Sequence, residues 1–293
     1  MTLAGLLAAV IVAAALATPA LYPPALALGF VDEEADFLRI FRRLLMVGGL
    51  AVLFIHFTPW REGNAASYGL RASGRGLHDA ARAIAVTFAV MLAVLAAYTW
   101  AGVLNIRDEA RLSAVPLLLG KYLVPALLIG GIEELMFRGW MLRRLRRSLG
   151  PVLAASSGAA IYAALHAFRL GNPSPVPHDW RGCLSGFVQW MSFATNIEQF
   201  GPAFTGLFLF GIVLTILTWR YDSILPAIGV HASSALIIHT YSRLTWRGPD
   251  LAWAGGKSLY DGAPVWLLLI LAVIVLSPRP SAVPRTAVDT GQS

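Results

Sequence analysis

The sequence predicts an all-α protein, a polytopic transmembrane helix bundle of about eight spans. Three observations predict it. Of 293 residues, 57% are hydrophobic and only 13% are charged, where a soluble domain carries about a quarter charged residues. The apolar residues come in repeated runs that approach the roughly 20 residues a spanning helix needs. The charges collect in the short gaps between those runs. The net charge of +7 is mostly arginine, placed where charges set topology or meet anionic lipid headgroups. That placement argues against nucleic acid as a partner and makes the lipid bilayer the first one.

The expected spans fall at about 3–30, 40–57, 82–103, 114–142, 151–168, 199–219, 223–241 and 263–277. The first carries Ala15 and Ala17 in an A-x-A pattern, but no Lys or Arg precedes its apolar stretch. The stretch also resumes after Pro19, Pro23 and Pro24, so it is expected as a retained, Pro-kinked span and not a cleaved signal peptide. The second ends at His56 near Trp60, a pairing that suits an interfacial anchor. A loop of about 58–81 with Arg61, Glu62, Arg71 and Arg75 leads to the third. The fourth is followed by Arg143, Arg144, Arg146 and Arg147. The positive-inside rule puts this cluster in the cytoplasm and, with eight spans, both termini with it.

After the fifth span, the loop at about 169–198 is first Pro-rich (Asn172, Pro173, Pro175, Pro177) and then aromatic (Trp180, Phe187, Trp190, Phe193). The aromatic part is expected to be interfacial or re-entrant. His78 and His178 fall in loops, where solvation is expected. Cys183 is the single cysteine, which excludes an intrachain disulfide and any CxxC pair. It is expected as an incidental small residue in a loop. From Ser277 the tail is polar and expected to be disordered. The chain divides into N-terminal helices (1–113), a core (114–242), a last loop and helix (243–277) and a tail (278–293), with no internal repeat.

The chemistry lies in polar residues inside apolar runs, since an ionisable group at the bilayer centre costs a few kcal/mol or more. The fourth span contains Gly130-Gly131-Ile132-Glu133-Glu134-Leu135-Met136-Phe137-Arg138. Glu134 and Arg138 are four apart, so one helix face carries both and they can pair. Glu133 is rotated about 100° away and faces something else. Without a cation, its desolvated carboxyl suits acid or base chemistry. Gly130 and Gly131 permit close helix packing. His166 and His231 lie in two further apolar runs, and His239 is expected near the interface. A glutamate and two histidines can activate water as bases. They can equally hold a metal such as zinc with one position open. A structural ion-pair cluster at a helix end is the plainer alternative.

Glu133-Glu134-x-x-x-Arg138, then Tyr162-x-x-x-His166, then His231 after Leu225-Pro-Ala-Ile-Gly, occur in that order. This resembles the CAAX protease and bacteriocin-processing (CPBP, or Abi) family, which shows E-E-x-x-x-R, F-x-x-x-H and H-x-x-x-N on successive helices. The resemblance covers about 115–240 and includes Phe137-Arg138-Gly139 and Arg220-Tyr-Asp222-Ser-Ile-Leu-Pro. It implies an intramembrane endopeptidase. By position, Glu133 matches the residue that activates water, and Glu134 and Arg138 match its supporting pair. His166, with Tyr162 one turn before it, matches a histidine that holds or activates the water. His231 matches the stabiliser of the oxyanion. The glutamate-type mechanism expects no cofactor; the metal-dependent version would use zinc on Glu133, His166 and His231. Two positions depart from the pattern. Tyr162 stands where Phe is usual, and Ala235 stands where Asn is usual and removes a donor that Ser234 or His239 would have to replace.

The expected function is therefore cleavage of a membrane-associated peptide or protein, with a prenylated tail, a leader peptide and a C-terminal anchor all open as substrates. The Ala- and Arg-rich composition suggests the inner membrane of a bacterium. A non-catalytic binding or immunity protein on the same scaffold is the alternative that Ala235 favours. A proton-coupled transporter would use the same Glu/His set, but the chain lacks an inverted repeat.

Overall fold

The structure, a computed structural model, describes residues 3–28, 37–57, 68–70, 74–171, 173–249, 251–255 and 259–277. The expected disordered tail and the loop residues Arg61, Glu62, Arg71 and Asn172 lie outside these. The chain is overwhelmingly helical: α1 (Leu3–Ala27), α2 (Phe37–Phe57), α3 (Gly74–Trp100), α4 (Val115–Glu134), α5 (Leu142–Leu165), α6 (Ala167–Leu170), α7 (Trp180–Thr195), α8 (Ile197–Tyr221), α9 (Leu225–Leu244) and α10 (Ala263–Leu276). Two three-residue strands, β1 (Leu104–Ile106) and β2 (Thr245–Arg247), pair antiparallel with Leu104 opposite Arg247 and Ile106 opposite Thr245.

Each of the eight expected spans overlaps a helix among the described residues. Four segments are long and apolar enough to cross a bilayer: Gly5–Ala27, Gly74–Trp100, Val115–Leu165 and Ile197–Tyr221. They mark an integral membrane protein. The third holds two expected spans, divided where Gly150 takes a φ of 73° ahead of Pro151. A side chain rarely adopts that conformation. By length and hydropathy alone, the count of eight is not reached. Helix α3 starts at Gly74, earlier than expected, because its first turns carry Arg75, His78 and Asp79, which a hydropathy reading assigns to the preceding loop.

The residues cluster into two compact units. The first comprises Met1–Asn64 and Ile161–Phe204. Helices α1 and α2 pack together with α7 over a core of Ala14, Ala15, Tyr22, Phe37, Phe41, Cys183 and Trp190. Gly186 admits Leu38, whose side-chain atoms would come within 2.7 Å of any added Cβ. The aromatic segment is a regular helix with a capped start, since Asp179 Oδ1 accepts from the Gly182 amide at 2.8 Å. Trp190 is buried and donates from Nε1 to the Gly171 carbonyl at 3.3 Å. His178, expected to be solvated, stacks on Phe37 with ring centroids 4.7 Å apart.

The second unit comprises Ala65–Ala160 and Thr205–Ser293. Its centre is α9, packed between α3 and α4. Small residues allow this: Gly130 lies against Ala232, with 3.0 Å from a notional Cβ to the Ala232 nitrogen, and Gly229 lies against Ile84 and the Ala80 carbonyl. Gly131, expected to help, faces open space. Helix α8 ends in a left-handed turn, in which Asp222 has a φ of 46° and the Ser223 amide donates to the Thr218 carbonyl at 3.2 Å. Ser223 Oγ accepts from the Leu225 amide at 3.2 Å, and Pro226 occupies the first turn of α9. This turn is the physical content of the Tyr221-Asp-Ser-Ile-Leu-Pro segment, and it sets where α9 begins.

Cys183 sits in α7, not in a loop, and is buried. Burial pushes its thiol up to about 11, despite a hydrogen bond from Thr18. At pH 8 it holds almost no thiolate, the reactive form. Maleimide labelling of the native protein at pH 8 is therefore expected to be negligible and to become complete on unfolding. Rapid labelling of the folded protein would contradict this packing.

Candidate active site

Helix α4 delivers Glu133 and Glu134 in its last turn. The chain then widens into a π-helical stretch, Leu135–Met141, which carries Arg138. Such stretches are rare and occur often at functional sites. Arg138 Nη1 donates to Glu134 Oε1 at 2.9 Å, so the pairing expected from the four-residue spacing is present. Arg138 Nη2 donates to the Gly211 carbonyl of α8 at 3.0 Å. The same carbonyl accepts from Thr215 Oγ1 at 3.0 Å. Gly211 packs closely on α5, where a notional Cβ would lie 3.0 Å from the Ala159 Cβ, while the same Cβ would keep an ordinary 3.5 Å from Arg138 Nη2.

His231 reaches the pair from α9. Its Nδ1 lies 2.8 Å from Glu134 Oε1, and a carboxylate only accepts, so Nδ1 carries the proton. The opposite nitrogen, Nε2, lies 3.7 Å from Glu133 Oε2. The two glutamates, expected to face different ways, thus meet opposite sides of one imidazole. Phe210 packs edge-on against that ring, with centroids 5.8 Å apart.

Exposure separates the two carboxylates. The Glu134 side chain is 0% exposed and Arg138 2%, whereas Glu133 is 22% exposed. Glu134 is the anchored partner; Glu133 keeps partial exposure, although its Oε2, the atom that faces His231, is itself buried.

Tyr162 and His166 belong to the first unit. Tyr162 is buried, and the His166 ring lies 4.6 Å from it. His166 Nδ1 is 2.9 Å from the Tyr162 carbonyl. A carbonyl only accepts, so Nδ1 donates and Nε2 is left with its lone pair. Ala235 is buried with Ala126 and Leu236, one turn beyond His231. Ser234 is also buried. His239 stacks on Tyr122, centroids 5.4 Å apart, and neither it nor Ser234 takes part in the Glu133–His231 arrangement. Gly211 and Phe210 were not legible in the sequence, since a backbone acceptor and an apolar ring in an apolar helix give no signal. Among the described residues, no group of three or more His, Cys, Asp and Glu is disposed to hold a metal ion. In the second unit, Nδ1 and Glu134 are already committed to each other.

Removing Arg138 would leave the buried Glu134 charge with the His231 hydrogen bond and no cationic guanidinium. Arg138→Gln is expected to destabilise by about 3–5 kcal/mol, and Glu134→Gln with Arg138→Gln by less. Thermal unfolding in detergent measures both. Equal loss in the two variants would show that the pair is not desolvated as described.

Comparison with known proteins bears on residues 115–237, which match the family described as Rce1-like, type II CAAX prenyl endopeptidase Rce1-like. No curated protein and no solved structure matches the chain significantly. The matched segment runs from the start of α4 through His231 and Ala235, so it includes every element that builds the Glu133–Glu134–Arg138–His231 arrangement. Residues 115–237 are thus similar to the Rce1-like CAAX prenyl endopeptidases, in line with the motifs they carry.

Proposed function

We propose that this chain is an intramembrane endopeptidase that uses Glu133 to activate water. The observation that carries the reading is His231, held by Glu134 through Nδ1 with Nε2 turned toward the more exposed Glu133. Glu133 takes a proton from water as the resulting hydroxide adds to the scissile carbonyl carbon. The developing oxyanion accepts a hydrogen bond from a protonated Nε2 of His231. Glu133 then returns the proton to the leaving amide nitrogen, and the carbon–nitrogen bond breaks. Arg138 and Glu134 act through His231 as positioning residues. The family pattern assigns His166 to hold or activate water; within its own unit its Nδ1–H is given to the Tyr162 carbonyl.

In this reading the substrate is a membrane-associated peptide or protein, no cofactor is required, and the chain resides in the inner membrane of a bacterium. The metal-dependent alternative assigns zinc to Glu133, His166 and His231. Ala235, buried where a donor is usual in the family pattern, supports a second reading: a non-catalytic binding or immunity protein on the same scaffold.

Purified protein is to be tested on a pool of membrane-anchored peptides, with and without a chelator. The wild type is expected to cleave in both conditions, Glu133→Gln to lose roughly 10²–10⁴-fold, and membrane insertion to be unchanged. Loss of cleavage on chelation would transfer the mechanism to a metal. A variant with full activity would refute the role of Glu133, and a biological phenotype that survives Glu133→Gln would favour the binding protein.

A further inference from the structure

Two cationic side chains and a histidine gather on one aromatic ring at the far end of α4 and α9 from the candidate active site. The contacts between these helices fix an antiparallel register: Gly130 against Ala232, Ala126 with Ala235, and Tyr122 with His239 and Arg243. His231, Ala235, His239 and Arg243 follow one another every fourth residue along α9. From His231 to Arg243 the helix rises about 18 Å, so the two polar clusters are separate places.

Tyr122 organises the second cluster. Its hydroxyl accepts from Arg243 Nε at 3.0 Å. The His239 ring stacks on it at an interplanar angle of 26°, and Lys121 Nζ lies 5.8 Å from its centroid. Lys121 and Arg243 are exposed, and neither has an ion pair among the described residues. The nearby acidic residues, Asp108 and Glu109, are exposed and not paired with them. Arg107 is used otherwise, since its Nε donates to the Thr245 carbonyl at 3.1 Å. The carbonyl end of α9 offsets only part of the charge on Arg243. Two like charges, Lys121 and Arg243, held beside one ring call for an anion.

The surroundings say which kind. Trp100 is 92% exposed and Trp246 51% exposed at this end of the unit, as tryptophans are at headgroup level. Along α4 from Tyr122, Leu123, Val124, Leu127 and Leu128 are each 45–60% exposed, an apolar surface next to the cations. A free anion would use the cations alone, whereas a phospholipid uses both. We propose that Lys121, Tyr122, His239 and Arg243 bind the headgroup of an anionic phospholipid, whose acyl chains lie along the exposed leucines of α4.

The test uses delipidated full-length protein in detergent, titrated with phosphatidylglycerol, phosphatidylcholine or inorganic phosphate. Binding is read by native mass spectrometry and stability by thermal unfolding. Phosphatidylglycerol is expected to bind more tightly than phosphatidylcholine and to raise the melting temperature. In the Lys121→Gln, Arg243→Gln variant its affinity is expected to fall roughly tenfold or more. If that variant does not fold, Arg243→Gln alone is read, with a loss of about fivefold expected. Equal binding of the two lipids, undiminished binding in the variant, or the same stabilisation by inorganic phosphate alone would each overturn the assignment.

Discussion

The hydrogen-bonded pair of Glu134 and Arg138 constrains the second unit more than any other contact. Both side chains are buried in an apolar helical segment, where an unpaired charge is costly and even a paired one stabilises little by itself. The pair is tolerable because each member has further partners: Arg138 gives its second nitrogen to the Gly211 carbonyl, and Glu134 accepts from His231. Those partners dictate helix positions. Helix α8 must bring the Gly211 carbonyl to Arg138, α9 must approach α4 closely enough to bring the imidazole within 2.8 Å, and Gly130 against Ala232 makes that approach feasible.

The chemistry follows from the same constraint. A histidine that is free to rotate is an indifferent catalyst, because proton transfer and oxyanion binding need fixed directions. Holding Nδ1 leaves Nε2 with a defined direction, and that direction is toward Glu133. Two adjacent glutamates thus sit in different environments, one fully buried and charge-paired, the other partly exposed, and the proposed mechanism gives them different roles. The alternation of small and polar residues on α9 carries this further. Ala235 belongs to the stripe that connects His231 to the Tyr122 cluster and packs with Ala126 and Leu236, at the position where the resembled pattern carries Asn.

Much of this was legible in the sequence, and the limits are physical. Helix positions follow from hydropathy, and the Glu134–Arg138 pair follows from a spacing of four on a helix. The orientation of Glu133 did not follow, because the 100° rotation describes one helix, whereas His231 enters from a second and spans both carboxylates. The π-helical widening after Glu134 has no simple sequence mark. The β1–β2 ribbon joins three-residue strands far apart in the chain, too short for alternation to show. Cys183 and Trp190 were placed in an interfacial loop because a 16-residue helix rich in Ser, Gly and aromatics is not apolar enough to read as a span, yet its buried face completes the core of the first unit.

The most direct test of the account is single-turnover cleavage of a membrane-anchored peptide in heavy-oxygen water. A glutamate that activates water predicts one heavy oxygen in the newly formed carboxyl terminus from the first turnover. A light-oxygen product in that turnover would mean that Glu133 attacks the carbonyl itself through a covalent anhydride, and would contradict the assignment of Glu133 as a base.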